Sequence, residues 1–309
     1  MTGRYSLLVP CFNAANYIDR FLMNLSLLDR SFDEVIFYDD ASTDQTKNLL
    51  MSKGHRVISG EKNMGPAYAR NMLVTHASHD WIHFHDIDDA MVPSYLTKTA
   101  VLAEIDQHDV ILCNVDWRDR LTNELVMNWK YDNSQINHDP LKYTISHPIG
   151  GINGLYRKSK ITEVGGFNSD LRIWEDADLH VRLASKAVRF YVIEEVLSIA
   201  FRTANSASSD QTLGWLNRLK LLENYQQQFT EYAIQQEIGQ QAQSTAARLL
   251  LSGEGRAAKR ALQLSEKSAV KVPVARSLLW RFLKNILPGS LRIELRLLHL
   301  QFAFRKHYH

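Results

Sequence analysis

The segment Trp81-Ile-His-Phe-His-Asp-Ile-Asp-Asp89 joins a short apolar run to a cluster of acids. Its first four residues have the aromatic and branched side chains of a buried strand. Asp86 and Asp88 follow that strand directly, and two close carboxylates repel each other unless a positive group shares their site. Mg²⁺ or Mn²⁺ prefers such oxygen ligands and also binds diphosphates, whereas an acidic turn after a strand is the simpler alternative.

Strand-like and helix-like runs alternate on both sides of this segment. The predicted strands are Tyr5–Pro10, Glu34–Tyr38, Arg56–Ile58, Trp81–Phe84 and Val110–Cys113, and the predicted helices are Asn16–Leu28, Thr43–Met51, Pro66–His76 and Pro93–Asp106. This alternation predicts an α/β fold with a mostly parallel sheet flanked by helices, whose ligands bind at the carboxyl ends of the strands. The stretch 116–146 gives no clear pattern, and Gly150–Gly154 is predicted to be a turn.

The composition predicts a folded globular protein. The chain has 309 residues, of which 45% are apolar and 23% charged. Its two cysteines, Cys11 and Cys113, are too few for a disulfide framework. No signal peptide and no run of 18 apolar residues is found, so a cytoplasmic location is expected.

The last third of the chain differs from the rest. From Leu213 onward the pattern is wholly helical, and we expect the small polar residues 203–210 to form a mobile loop. The predicted domains are therefore 1–207, α/β, and 208–309, an α-helical extension. Residues 271–309 carry eight Lys or Arg and one acid. The basic amphipathic stretch 277–306 either contacts a membrane surface peripherally or docks as ordinary helices.

A second acidic cluster, Asp39-Asp-Ala-Ser-Thr-Asp44, follows the second predicted strand. A carboxylate there can accept a hydrogen bond from a nucleotide base or ribose, although such residues are also favoured as plain helix caps. Further along, Asn63-Met-Gly-Pro-Ala-Tyr-Ala-Arg-Asn71 begins a helix at its Gly-Pro pair. Arg70 lies about one turn into that helix, where its guanidinium can face a phosphate.

Taken together, these segments resemble the inverting family-2 glycosyltransferases of the GT-A fold. That family shows Val-Pro-x-Tyr-Asn, Asp-Asp-x-Ser-x-Asp, Asn-x-Gly-x-x-x-Ala-Arg-Asn and Asp-x-Asp-Asp, in that order. The matching segments here are Val9-Pro-Cys-Phe-Asn13, Asp39–Asp44, Asn63–Asn71 and Asp86–Asp89. A fifth match comprises Val164-Gly-Gly-Phe-Asn168 and Trp174-Glu-Asp-Ala-Asp-Leu-His-Val-Arg-Leu183, and the resemblance extends over roughly residues 4–205.

The resemblance implies roles for particular residues. It implies nucleotide-sugar contacts by Pro10, Asn13, Asp39, Asp40, Arg70 and Asp86, acceptor contacts by Gly151, Asn153 and Trp174, a Mn²⁺ or Mg²⁺ ion on Asp88 and Asp86, and catalysis by Asp176 with Glu175 beside it. Asp176 would be the general base, and the neighbouring acid would raise its proton affinity. Adjacent acids are also common in the first turn of a helix for electrostatic reasons.

The implied reaction moves one sugar from a nucleotide-sugar, with a UDP-sugar favoured, to a saccharide or lipid-linked saccharide in cell-surface glycan synthesis. The chain lacks the Gln-x-x-Arg-Trp element of processive synthases, which favours one sugar per encounter. Two rivals are a sugar-1-phosphate nucleotidyltransferase and a non-catalytic saccharide-binding scaffold. His83 and His85 could bind zinc together with Asp86, but the sequence offers no further ligands at the spacing that zinc sites require. No motif for nucleic-acid binding accompanies the basic tail, and a homo-oligomer is possible.

Overall fold

The computed structural model describes residues 3–202, 210–273 and 285–305. The chain divides into two compact units, residues 1–206 and 207–309. The loop predicted to be mobile, 203–210, lies almost wholly outside the described residues, so that prediction stays a prediction. In the described part of the chain, no helix has the length and apolar character needed to cross a membrane.

The first unit is a mixed α/β structure, as predicted. Its strands are β1 (Tyr5–Cys11), β2 (Glu34–Asp39), β3 (Arg56–Ser59), β4 (Trp81–Phe84), β5 (Ala90–Met91), β6 (Val110–Asp119), β7 (Leu125–Trp129), β8 (Gly154–Arg157) and β9 (Phe190–Arg202). Its helices are α1 (Ile18–Ser26), α2 (Thr46–Ser52), α3 (Pro66–His76), α4 (Tyr95–Glu104), α5 (Asn133–His138), α6 (Pro140–Ser146), α7 (Lys158–Glu163) and α8 (Glu175–Ala184). Short 3₁₀ turns span Ala15–Tyr17 and Gly151–Asn153.

All nine strands join one sheet in the order β3-β2-β1-β4-β8-β6-β9-β5, and β7 pairs with β6. The first four of these strands are parallel, which brings the carboxyl ends of β1, β2 and β4 to one edge. Strand β8 is antiparallel to both β4 and β6 and so joins the parallel part to the remainder. Helices cover both faces of the sheet, and each face has its own apolar core. Phe84, Tyr156 and Phe167 lie in one core, and Phe21 and Tyr95 lie in the other.

The second unit is helical, as predicted. It contains α9 (Gln211–Gln228), α10 (Tyr232–Leu251), α11 (Gly255–Lys267) and α12 (Gly289–Arg305). In α12, Ile293 and Leu300 are buried, and Arg292 forms an ion pair with Glu266 of α11. This part of the basic tail therefore packs against the unit itself. The part between 274 and 284, with Trp280, Arg281 and Lys284, lies outside the described residues, as does Lys306.

Candidate active site

The candidate site lies at the edge where β1, β2 and β4 end. Pro10 is the partner of Tyr38 in the β1–β2 register, which places the segment after β1 beside the segment after β2. Asp86 follows β4, the neighbour of β1 on its other side. The parallel register thus gathers three sequence-distant segments at one edge, because the loops after parallel strands share one side of the sheet.

Asn13 joins the loops that follow β1 and β2. Its backbone is left-handed, with φ of 49°, a conformation that asparagine tolerates better than most residues. The side-chain Oδ1 accepts hydrogen bonds from the backbone N–H of Thr43 at 2.8 Å and from its hydroxyl at 3.2 Å. The backbone N–H of Asn13 donates to the hydroxyl of Ser42 at 2.9 Å. Asn13 therefore fixes the acidic loop that begins at Asp39.

Asp39 and Asp40 are both buried, yet their carboxylates have different surroundings. Asp40 accepts from the backbone N–H groups of Met64 at 2.9 Å and Gly65 at 2.7 Å, so it ties the end of β2 to the start of α3. Asp39 accepts a long bond of 3.4 Å from the backbone N–H of Ser42, and its buried Oδ1 has no hydrogen-bond partner among the described residues. Because unpaired buried oxygens are unfavourable, Asp39 Oδ1 is suited to receive a donor group from a ligand.

Arg70 connects the acids after β4 with the acids that begin α8. It is buried, and its Nη2 donates to Asp86 Oδ1 at 2.8 Å while its Nη1 donates to Glu175 Oε1 at 2.7 Å. Burial opposes the charge, but Asp86, Glu175 and Asp176 together raise the pKa of Arg70 above its ordinary value. The guanidinium also lies over the ring of Phe167, 5.5 Å from the ring centroid. A fixed positive charge therefore stands between the two acidic groups.

The acids after β4 repel one another. Burial, and then the charge of Asp86, raises the pKa of Asp88. Burial and both neighbouring acids raise the pKa of Asp89 further, while its Oδ1 accepts from the backbone N–H of Phe201 at 2.8 Å. Asp86 and Asp88 stay partly exposed. Their carboxylates suit a divalent cation, which would relieve the repulsion, and nucleotide and water oxygens would have to complete its coordination.

Two arginines that no motif marks contact Asp88. Arg120 Nη2 donates to the Asp88 carboxylate at 3.0 Å and to its backbone oxygen at 2.9 Å, and Arg20 donates to the same backbone oxygen. Arg120 stacks on Tyr17, with 4.6 Å from its Cζ to the ring centroid, and Arg20 stacks on Phe201 at the same distance. Sequence inspection could not find Arg120, since it follows β6 within the stretch whose structure the pattern leaves undefined.

The acids that begin α8 lie close to Arg70 and to the turn after α6. Asp176 Oδ2 accepts from the backbone N–H of Gly151 at 3.0 Å, and Oδ1 accepts from the N–H of Ala177 at 2.7 Å. Burial raises the pKa of Asp176, and Arg70 limits the rise. Burial and Asp176 raise the pKa of Glu175 to about 7. A carboxylate with a raised pKa is a better proton acceptor near neutral pH.

Two of the predicted acceptor residues adjoin this pair, since Gly151 donates to Asp176 and Trp174 directly precedes α8. Gly151 and Asn153 form the 3₁₀ turn, and Asn153 donates from Nδ2 to the hydroxyl of Tyr131, which also accepts from Gly150 N–H at 3.4 Å. Trp174 precedes α8 with a left-handed backbone, φ of 76°. Such a conformation is unfavourable for a bulky residue and is concentrated at functional sites. Tyr131 was not predicted, because it lies in the stretch 116–146.

Three buried histidines lie on or next to the elements that carry the site acids, namely His180 in α8, His83 in β4 and His85 directly after β4. His180 Nδ1 lies 2.7 Å from the backbone oxygen of Asp176, and its Nε2 lies 3.0 Å from the hydroxyl of Tyr156. His83 Nε2 lies 3.1 Å from His85 Nδ1, and both rings are fully buried. Over the described ranges, no group of three or more His, Cys, Asp or Glu side chains is arranged to hold a metal. The zinc alternative for His83 and His85 therefore gains no support.

Comparison with known proteins assigns the chain to a family. The model of the family described as "Glycosyl transferase family 2" matches residues 6–165, more than half of the chain. The chain belongs to glycosyl transferase family 2. This assignment confirms the resemblance seen in the motifs.

Two relatives illustrate how this family-2 glycosyltransferase compares with other members. An uncharacterized glycosyltransferase, YibD, from Escherichia coli (strain K12) is 28% identical over 127 residues, which cover 40% of this chain and 37% of that protein. A poly-β-1,6-N-acetyl-D-glucosamine synthase from Staphylococcus aureus (strain MSSA476) is 26% identical over 196 residues, 59% of this chain and 46% of that protein. The chain thus spans less than half of the length of these two relatives.

Solved structures share the fold of this family-2 chain along nearly its whole length. Residues 1–349 of S. aureus TarS, in complex with UDP-GlcNAc, superpose with a TM-score of 0.70 at 18% identity, covering 98% of this chain and 92% of that one. The mannosyltransferase PcManGT from Pyrobaculum calidifontis, in complex with GDP-Man and Mn²⁺, gives a TM-score of 0.61 at 16% identity, covering 99% and 87%. At these identities the similarity establishes the GT-A fold alone.

Proposed function

We propose that this protein is a metal-dependent, inverting glycosyltransferase that moves a single sugar from a nucleotide-sugar to a saccharide or lipid-linked saccharide. The observation that carries the proposal is the position of Arg70, hydrogen-bonded to Asp86 on the donor side and to Glu175 beside Asp176. One buried cation thereby links the residues proposed for donor binding to those proposed for proton transfer. Family membership favours transfer over the nucleotidyltransferase and scaffold alternatives.

Nucleotide binding is assigned to the edge formed by β1, β2 and α3. The unpartnered oxygen of Asp39 supports a contact with a base N–H or a ribose hydroxyl. Pro10 and Asn13 shape the adjoining loop. The Asp40 carboxylate accepts hydrogen bonds from backbone N–H groups at the start of α3, and Asp40 is also proposed to contact the nucleotide. A UDP-sugar is the favoured donor. TarS with UDP-GlcNAc and PcManGT with GDP-Man support a nucleoside diphosphate sugar as the donor class.

Asp88 and Asp86 would hold the metal, Mn²⁺ or Mg²⁺. Held there with the donor, such an ion would offset the negative charge that develops on the departing nucleoside diphosphate. The raised pKa of Asp88 and the mutual repulsion of the acids support a cation at this position. Within the described ranges, each carboxylate keeps an oxygen that accepts from no arginine. The Mn²⁺ bound with PcManGT is consistent with this chemistry.

Asp176 is proposed as the general base. It removes the proton from the acceptor hydroxyl as that oxygen attacks the anomeric carbon from the face opposite the diphosphate, so the configuration inverts. Hydrogen bonds from the N–H groups of Gly151 and Ala177 orient its carboxylate. Glu175 holds Arg70 in place, which keeps a positive charge near the donor phosphates. Gly151, Asn153 and Trp174 line the proposed acceptor side.

The remaining assignments rest on composition and family. The catalytic domain is proposed to be 1–207, with 208–309 as a helical extension, and the acceptor is proposed to belong to cell-surface glycan synthesis. A cytoplasmic location with peripheral membrane contact through 277–306 is proposed as well. The buried residues Ile293 and Leu300 of α12 mean that any membrane contact would use the other faces of that helix.

Donor hydrolysis tests the proposal without knowledge of the acceptor, because water can take the place of the acceptor hydroxyl. The protein is incubated with Mn²⁺ and, in turn, UDP-glucose, UDP-N-acetylglucosamine, UDP-galactose and GDP-mannose, and the released sugar is followed by proton NMR. We expect one α-linked donor to release the β-anomer first, with Asp176→Asn much slower. First appearance of the α-anomer would contradict inversion, and no release from any donor would contradict the proposed activity.

A further inference from the structure

Arg120 connects the acids after β4 with the loop proposed to bind the nucleotide. It directly follows β6, and its side chain is 15% exposed. Its Nη2 donates to the Asp88 carboxylate at 3.0 Å. Its Cζ also lies 4.6 Å from the ring centroid of Tyr17, which ends the 3₁₀ turn shortly after Asn13. The guanidinium is therefore close to both parts of the proposed donor site.

The guanidinium of Arg120 is only partly used by these contacts. Among the described residues, its hydrogen bonds all come from Nη2, to the carboxylate and backbone oxygen of Asp88 and to the backbone oxygen of Phe201 at 3.5 Å. In the same part of the chain, Nε is buried with no partner. A guanidinium has five N–H donors in a planar fork that matches two oxygens of a phosphate. Because an unpaired buried donor is unfavourable, an anion that accepts from these groups can draw Arg120 away from Asp88.

A second arginine lies beside Arg120. Arg20 of α1 donates to the same backbone oxygen of Asp88, and its Cζ lies 4.6 Å from the ring centroid of Phe201. The Cζ of Arg120 lies 5.5 Å from that centroid. Partial burial, and then the charge of Arg120, lowers the pKa of Arg20. Two like charges held this close together favour an anion that both can reach.

A divalent cation on Asp88 would change the surroundings of Arg120. The carboxylate that accepts from Nη2 would then also adjoin a second positive charge, and like charges repel strongly in a partly buried site. We propose that Arg120 exchanges partners, pairing with Asp88 in the free protein and donating to the donor diphosphate when a cation shares Asp88. This inference rests on the proposed function, which assigns the nucleoside to the loops after β1 and β2 and the cation to Asp88.

The diphosphate is the part of the donor that suits this position. It links the nucleoside to the cation, and Arg120 contacts Tyr17 in the first region and Asp88 in the second. Phosphate oxygens can accept from two N–H groups of one guanidinium at once. Their negative charge would also offset the repulsion among the cation, Arg120 and Arg20. Arg120 is thereby assigned as a donor-binding residue that stabilises the diphosphate as it leaves.

Opposite effects on two ligands test the exchange. Arg120→Gln should bind Mn²⁺ alone about three- to tenfold more tightly, because Asp88 loses a competing partner. At saturating Mn²⁺ the same variant should bind UDP, or GDP if the wild type prefers it, about tenfold more weakly, because hydrogen bonds to a charged group are lost. Inorganic diphosphate should lose affinity by a similar factor, since the contact does not involve the nucleoside. Isothermal calorimetry measures all three affinities.

Two further variants separate this role from a general effect of charge. Arg118→Gln removes the same charge two residues earlier, where Arg118 pairs with Asp116, and should leave all three affinities within about twofold. Arg120→Lys keeps the charge without the planar fork and should recover only part of the nucleotide affinity. Thermal unfolding of each variant checks that it is folded.

Tighter Mn²⁺ binding together with weaker nucleotide binding in Arg120→Gln is the expected result. Nucleotide binding equal to that of the wild type, or Mn²⁺ binding that is unchanged or weaker, would overturn the partner exchange and leave the proposed function in place. An equal loss in Arg118→Gln would also overturn it, because net charge alone would then explain the effect. A wild type that binds neither UDP, GDP nor inorganic diphosphate with Mn²⁺ would overturn the proposed function as well.

Discussion

Arg120 donates a hydrogen bond to the carboxylate of Asp88, with 3.0 Å between Nη2 and Oδ2, and another to the Asp88 backbone oxygen at 2.9 Å. The proposed metal ligand therefore already has a positive partner in the protein. Arg70 likewise donates a hydrogen bond to the carboxylate of Asp86. Each carboxylate proposed for the metal is thus paired with one arginine, which limits their mutual repulsion when no cation is bound.

The Arg120 contact predicts competition between the arginine and the metal. In Arg120→Gln, Asp88 loses a positive neighbour, so Mn²⁺ added without nucleotide should bind several-fold more tightly, about three- to tenfold. Calorimetric titration with MnCl₂ measures this. Arg118→Gln is the matched control, because Arg118 pairs with Asp116 on the same hairpin and should leave the affinity unchanged. Unchanged or weaker Mn²⁺ binding in Arg120→Gln would contradict the proposed ligand.

The position assigned to Asp39 predicts that its removal weakens binding of a nucleotide but not of inorganic diphosphate. Removal of the carboxylate in Asp39→Ala should weaken UDP binding about tenfold or more, the size of a hydrogen bond to a charged group. Binding of inorganic diphosphate should not change, since Asp39 is assigned to the base or ribose. Isothermal calorimetry with both ligands separates the two effects. Equal loss of both ligands would place Asp39 in a general structural role.

The proposed base predicts a variant that binds but does not react. Asp176→Asn keeps the size of the side chain and an oxygen for the Gly151 N–H, but it cannot take a proton. We expect turnover to fall by about 10²–10⁴-fold while the dissociation constant of the nucleotide stays within about twofold. Asp170→Asn, at an exposed acid shortly before α8, serves as the control. Turnover by Asp176→Asn at the wild-type rate would exclude this residue as the base.

The raised pKa of Glu175 predicts how stability depends on pH. A carboxyl whose pKa is higher in the folded protein stabilises the fold when protonated, and this contribution is lost as pH rises through the folded value. With a rise from 4.5 to about 7, the loss is on the order of 3 kcal/mol. Glu175→Gln should therefore flatten the fall in unfolding free energy between about pH 4.5 and 7.

Urea unfolding at several pH values measures that profile. Glu163→Gln is a suitable control, because Glu163 is a surface acid paired with Lys160 in α7. If wild type and Glu175→Gln lose stability in parallel across this range, the assigned proton lies on another group.

Local sequence patterns were sufficient to predict the bounds of helices and strands in the part of the chain where strands and helices alternate. Helix α3 at Pro66–His76 and strand β4 at Trp81–Phe84 have the predicted bounds. A Gly-Pro start defines the helix, and the run of buried residues defines the strand. The acids at the ends of β2 and β4 were also found from sequence, because parallel strands place such ends on one edge.

Where the sequence pattern failed, the end of a strand is set by pairing with strands that are distant in the sequence. Strand β6 was predicted to end at Cys113 and continues to Asp119, because β9 and β7 supply partners along its polar half. The positions of Arg120 and Tyr131 depend on that pairing, so no local signal could have marked them. The same holds for Arg20, which reaches Asp88 from α1, 68 residues earlier in the chain.

The most direct test of the central claim is calorimetric binding of UDP, GDP, dTDP and CMP, each with and without Mn²⁺, to the wild-type chain and to Asp88→Asn. We predict that one nucleoside diphosphate binds tightly to the wild type in the presence of Mn²⁺, and that this binding is lost without the ion or in the variant. Binding of equal strength to Asp88→Asn, or independent of Mn²⁺, would contradict a metal-dependent donor site at Asp86 and Asp88.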